Sequence, residues 1–262
     1  MLKQSVIFLI CLLCPILAPA QENLRIGFNN VDSFPYFLGK GEALASPPGI
    51  SVDLINYVSE ELQLNIDYQR MPGQRVLQSL KRGDLDAAFI FSYKEARREF
   101  GVFPMKDGKV DTERRMDTLS YVLYRPVSSK LNWNGSDFEQ LNGSLAAKLN
   151  YSIVADIKKK SIEVVEGRST SQLFSMLAAK RVEGVVDQEA IADAYLQKQQ
   201  TSKFEKARLP LAEKHYYLIF SHQFAEKNPQ ITESIWDLVA ANRDRIYRTR
   251  MPGYYGYLDA RK

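Results

Sequence analysis

Apolar residues along this chain switch repeatedly between a period of two and a period near 3.6, the spacings of half-buried strands and amphipathic helices. Leu24-Arg25-Ile26-Gly27-Phe28 alternates as a short strand, and a stretch of turn formers runs from Asn29 to Pro48-Gly49. Over residues 51–64 apolar side chains recur at Val52, Ile55, Val58 and Leu62, one face of a helix with Ser51 in the N-cap position. A strand over 65–69, a helix over 74–81 and a buried strand over 85–91 follow. This alternating order predicts a parallel sheet.

The order returns after residue 140, with strands over 145–149, 161–165 and 184–186 and helices over 152–160, 171–180 and 188–197. Lys81-Arg82-Gly83-Asp84 and Lys180-Arg181-Val182-Glu183 echo each other, each placing a basic pair between a helix and a buried strand. The chain therefore reads as two similar α/β halves. Two strand-like runs, 118–124 and 216–221, read as segments crossing between them. After Pro229 a helix carries Ile231, Ile235, Leu238, Val239, Asn242 and Ile246 on one stripe and ends in Tyr254, Tyr255 and Tyr257, a pattern expected to pack on a core.

With 262 residues, 35 Lys plus Arg against 31 Asp plus Glu, and 45% hydrophobic residues, the composition excludes collagen-like, coiled-coil and wholly disordered chains. Both cysteines, Cys11 and Cys14, lie in the first twenty residues, where Lys3 is the only charge and Ala18-Pro19-Ala20 offers a cleavage site. The apolar run there is about 12 residues, short of the roughly 20 a spanning helix needs, so residues 1–20 read as a cleaved secretory signal. Cleavage leaves no thiol. The net charge of +4 is scattered and is no nucleic-acid footprint.

Three stretches carry a family resemblance: Pro48-Gly49-Ile50-Ser51-Val52-Asp53-Leu54, Leu80-Lys81-Arg82-Gly83-Asp84-Leu85-Asp86-Ala87, and Glu95-Ala96-Arg97-Arg98-Glu99. In this order and spacing the chain resembles the family 3 extracellular solute-binding proteins, the periplasmic receptors for polar amino acids and related solutes. The resemblance implies a type II periplasmic binding protein fold of two α/β lobes, joined by two crossover hinge strands around a ligand cleft. Lobe 1 would hold residues 21–117 and 217–262, and lobe 2 residues 118–216. It also implies a monomer without cofactor in the periplasm, binding a small polar solute and delivering it to a membrane ABC transporter permease.

On the same resemblance Arg97 matches the arginine that clamps a ligand carboxylate, a role its rigid fork of donors suits. Lys94 stands where relatives have threonine, and Ser92 keeps a hydroxyl at the end of a buried strand. Asp187 matches the carboxylate that holds a ligand ammonium, with a helix N-cap as the alternative. Tyr151 and Ser152 occupy the place of a Gly-Ser/Thr-Thr anion cradle, with Asn150 before them and the glycine lost. Phe34 or Tyr36 would stack on ligand. Arg75, a cation opening a helix, is a further cleft candidate, beside Gly73 where relatives carry an aromatic.

An enzyme needs a nucleophile, an acid/base pair or a metal set. His215 and His222 are oddly spaced on or beside one strand, which puts them on opposite faces, and no P-loop, G-x-S-x-G or H-x-x-x-H motif occurs. A non-catalytic receptor is the first expectation. A cleft dehydratase of the cyclohexadienyl type using Asp187 or Glu189 as acid, and an orphan or sensory binding protein, are the alternatives.

Overall fold

The computed structural model describes residues 23–259. The signal-peptide reading of residues 1–20, with both cysteines, lies outside the described residues.

Nine strands form the principal sheet: β1 (Asn23–Asn29), β2 (Asn65–Met71), β3 (Ala87–Ser92), β4 (Asp117–Pro126), β5 (Leu145–Lys148), β6 (Val164–Gly167), β7 (Gly184–Gln188), β8 (Phe204–Lys206) and β9 (Ala212–Phe220). The spatial order is β6-β5-β7-β4-β9-β3-β1-β2, with β8 also paired to β4. β1 runs parallel to β2 and β3, and β5 runs parallel to β6 and β7. The long β4 and β9 are antiparallel to their neighbours and to each other. They meet only over five pairs, from Ala212 opposite Tyr121 to Tyr216 opposite Asp117. Beyond that patch β4 continues against β7 and β9 against β3. Each crossing strand thus belongs to both halves.

Helices α1 (Ile50–Glu61), α2 (Gly73–Arg82), α3 (Ser152–Lys158), α4 (Thr170–Ala178), α5 (Glu189–Lys198), α6 (His222–Lys227) and α7 (Pro229–Asp259) cover both faces of the sheet. Alternate strand residues feed opposite cores, as a sheet buried on both sides requires. In β9, Leu218 and Phe220 join a cluster with α1 and α7, whereas Tyr217 and Ile219 join one with α2. In β7, Val186 packs with Ile153 of α3 and Val185 with Leu173 and Phe174 of α4.

Several local expectations are corrected. Ser51 does not cap α1: Gly49 is the N-cap, at φ 116°, and Ser51 is buried with its hydroxyl 3.3 Å from the Tyr247 hydroxyl. A β-carbon on Gly49 would lie 2.4 Å from Phe37 Cα and 2.5 Å from the Tyr36 carbonyl oxygen, so α1 starts where only glycine fits. The strand expected over 161–165 begins at Val164 because Ser161, at φ 59°, is still in the turn that ends α3. His222 opens α6 rather than continuing a strand, while His215 lies in β9.

The motif residues lock elements together. Asp53 accepts a hydrogen bond from the Tyr254 hydroxyl (2.8 Å) and pairs with Arg250 (3.1 Å), tying α1 to the far end of α7. Asp86 accepts from Arg25 Nε and Nη2 at 2.9 and 2.7 Å and from the Arg25 backbone N–H, joining β3 to β1.

Candidate ligand-binding cleft

The parallel strands β1, β3, β5 and β7 all end at one crevice, the place where open α/β sheets present loops to a ligand. It encloses a cavity of about 380 Å³. One half contributes the loop after β1 (Asn29 to Val31, Ser33, Tyr36 and Phe37), the start of α2, the end of β3 and Arg97. The other contributes Leu149 to Ser152 after β5, Arg168 after β6 and Gln188 after β7, and the crossing strand β9 contributes Tyr216.

A β-bulge shapes the β3 wall. Phe89 pairs with Leu218 and Phe91 with Tyr217, so Ile90 has no partner and sits at φ 61°. The extra residue breaks the alternation: Phe89 joins the core under α1, and Phe91 joins the one under α2. Phe89, Ile90, Phe91 and Ser92 all line the cavity as a result.

Arg97 leaves a short 3-10 turn, Glu95–Glu99, and folds back so that Nη1 donates to the Ser92 carbonyl and hydroxyl oxygens, both at 2.7 Å. Its guanidinium stands 5.9 Å from the Phe91 ring centre. Among the described residues no carboxylate lies within ion-pairing range of it. Burial pulls its pKa below the ordinary arginine value, opposed by the Tyr216 and Tyr121 hydroxyls. Deeper in, Gln188 Nε2 donates to the Tyr121 and Tyr216 hydroxyls at 3.1 and 2.9 Å, and the two phenols lie 2.5 Å apart. Burial pushes the Tyr216 phenol up to about 12 and raises Tyr121 well above the ordinary tyrosine value, so both are neutral hydrogen-bonding groups.

Five of the residues singled out in the sequence come together on the lining: Arg97, Ser92, Tyr36, Tyr151 and Ser152. The Ser152 hydroxyl is buried there without a hydrogen-bond partner. The other four are placed elsewhere. Phe34 packs edge-on against Tyr255 at 5.5 Å, and Arg75 is exposed on α2 beside the lining residues Gly73 and Gln74. Lys94 spans the halves, its ammonium 3.3 Å from the Ser152 carbonyl oxygen, and burial followed by repulsion from Arg97 and Lys214 lowers its pKa. Asp187 is buried behind the lining. Its Oδ1 lies 3.2 Å from Lys148 Nζ and accepts from the Gln188 N–H (2.8 Å), and its Oδ2 accepts from the Thr170 hydroxyl (2.7 Å).

Lys148, Arg168, Gln188 and Tyr216 were not singled out in the sequence. Lys148 carried a signal, a charge closing the apolar strand Leu145-Ala146-Ala147; Gln188 and Tyr216 carried none beyond their place at strand ends. Among the described residues no group of three or more His, Cys, Asp or Glu could hold a metal ion. None of their helices is long and apolar enough to cross a membrane.

Solved structures share this architecture. The amino acid ABC transporter substrate-binding protein AbpA from Streptococcus pneumoniae, bound to L-arginine, superposes with a TM-score of 0.68 at 15% identity, covering 89% of this chain and 94% of that chain. The arginine-, lysine-, histidine-binding protein ArtJ from Geobacillus stearothermophilus gives 0.67 at 15% identity, over 87% and 94% of the two chains. The GluR0 ligand-binding core from Nostoc punctiforme, in complex with L-glutamate, gives 0.64 at 15% identity, over 86% and 98%. The fold is that of the type II periplasmic binding proteins. No protein-family model matches the chain, and no curated protein does. At such identities the likeness carries the fold and leaves the ligand to the cleft's own chemistry.

Proposed function

We propose that the protein is an exported, non-catalytic receptor that closes two lobes on a small carboxylate-bearing solute and hands it to an ABC-type importer in the membrane. The observation that carries this reading is Arg97: a guanidinium on the wall of a 380 Å³ cavity, anchored through one nitrogen to Ser92 and lacking any acidic partner among the described residues. A ligand carboxylate supplies that partner with matching geometry. Ser92, Tyr36, Tyr151 and Ser152 surround it as the remaining binding residues. Lobe 1 then comprises residues 21–117 and 217–262 and lobe 2 residues 118–216, closing about the β4 and β9 crossing as a hinge. The resemblance to periplasmic receptors supports a monomer, and the signal-like pattern of residues 1–20 supports action in the periplasm.

The dehydratase alternative calls for a carboxylic acid in the cleft. Asp187 is ion-paired behind the wall, and Glu189 pairs with Lys206 at 2.6 Å away from the lining. Neither is presented to a bound substrate, and the receptor reading is kept. Isothermal titration with a panel of small carboxylates tests it. Binding without turnover is expected, and Arg97→Ala should weaken it by roughly 30-fold or more, the usual effect of removing one partner of a buried charge pair. Unchanged affinity in that variant, or formation of product, would sink the proposal.

A further inference from the structure

The charged residues on the cleft lining are one-sided. Arg97 and Arg168 line the cavity, Lys94 lies beside it, and no aspartate or glutamate is among the lining residues. Of the carboxylates that adjoin lining residues in the chain, Asp32 is exposed and accepts from the Gly39 N–H at 3.0 Å, Glu189 pairs with Lys206, and Asp187, buried at the end of β7, already has a cation. Parallel pairing sets Ala147 opposite Val186, which brings the next residues, Lys148 and Asp187, side by side. Both are buried, at 2% and 1% exposure, with Nζ and Oδ1 3.2 Å apart. The Thr170 hydroxyl and the Gln188 N–H also donate to this carboxylate, and the Lys148 ammonium lies 5.3 Å from the ring centre of Tyr151, which faces the cavity.

A ligand ammonium entering this cleft would find no carboxylate on the lining. To reach Asp187 it would have to displace Lys148 and leave that ammonium unpaired in the interior, where an isolated charge is strongly disfavoured. A carboxylate meets Arg97, on a lining that also includes Ser152, whose buried hydroxyl has no hydrogen-bond partner. The remaining wall is largely apolar and aromatic, with Phe37, Leu77, Phe89 and Leu149 on it.

Resting on the reading of Arg97 as a carboxylate anchor, we infer that Lys148 is an internal substitute for a ligand ammonium, and that the cleft takes carboxylic acids with an apolar body and no amino group. Oxo, hydroxy and simple alkyl or aryl acids are the class; the matching α-amino acids are rejected.

The test compares matched pairs by isothermal titration of the purified protein: 4-methyl-2-oxopentanoate against leucine, phenylpyruvate against phenylalanine, and 3-methyl-2-oxobutanoate against valine. In at least one pair the acid without the amino group is expected to bind roughly 30-fold tighter or more. Lys148→Met, which frees Asp187, should shrink that preference at least tenfold by admitting the amino acid. Because this variant leaves Asp187 unpaired and could misfold, the double variant Lys148→Met with Asp187→Asn serves beside it. It removes both charges and should keep the wild-type preference. If amino acids bind as well as their partners while Arg97→Ala abolishes both, the inference is overturned and the receptor reading stands. If no carboxylate binds at all, the receptor reading fails and this inference with it.

Discussion

Gly49 and Gly41 are both at positive φ, 116° and 59°, yet they should respond very differently to an added methyl group. Around Gly41 a new β-carbon meets nothing within 4 Å, so Gly41→Ala carries only the left-handed penalty of about 1 kcal/mol. At Gly49 the same atom would press on the backbone of Tyr36 and Phe37, which cannot rotate away as a side chain can. The Gly49 N–H also donates to the Tyr254 hydroxyl at 3.0 Å, so a shift there would disturb the contact between α1 and α7. Gly49→Ala is expected to cost about 3 kcal/mol or more. Urea unfolding of the two variants side by side checks this, and equal midpoints would refute it.

Among the elements, the parallel strands and their helices were legible because each follows from local periodicity. What was not legible depends on pairing. The β3 bulge is invisible in Ala-Ala-Phe-Ile-Phe-Ser, since nothing there says that Ile90 will stand unpaired. The Lys148–Asp187 pair joins residues 39 positions apart and exists only because β5 and β7 adopt one register, so the sequence offered Asp187 a ligand ammonium or a helix N-cap and no lysine partner. Arg97 could be placed by its motif, but its bond to Ser92 required the chain to fold back on itself. The bulge also makes a prediction. A β-branched residue held in the left-handed region costs about 1–2 kcal/mol, comparable to the burial lost on trimming a half-exposed isoleucine. Ile90→Gly should therefore change stability by less than about 1 kcal/mol, whereas Ile219→Gly, at a fully buried position on the neighbouring strand, should cost about 4 kcal/mol. Chemical denaturation of both variants measures the contrast.

Across the whole molecule the two halves are coupled where β4 and β9 cross, and Asp117 stands at the edge of that crossing, opposite Tyr216 in the register. Tyr216 is also opposite Ser92 of β3, so the crossing, the cleft wall and the Arg97 anchor meet at one residue. Asp117 is held close to the Arg243 and Arg115 cations and the Tyr36 and Tyr247 hydroxyls, and it accepts the Thr118 N–H at 2.6 Å. Burial is the largest influence and pushes its carboxyl up to about 7, against the opposing pull of the Thr118 hydrogen bond and the two arginines. In the unfolded chain an aspartate ionises near about 3.9. Below that pH both states hold the proton and nothing is lost. Between about 4 and 7 the unfolded chain releases its proton while the folded protein keeps it, so this group's contribution to stability falls as pH rises, and the loss is complete above about 7. Asp117→Asn keeps the size and cannot ionise. It should match the wild type at pH 4 and exceed it at pH 8 by several degrees in Tm, a few kcal/mol being typical of a carboxylate so displaced. A thermal melt series from pH 4 to 8 tests this. A gap between the two proteins that does not widen with pH would show that Asp117 is ionised in the folded state throughout, with Arg243 and Arg115 compensating its burial.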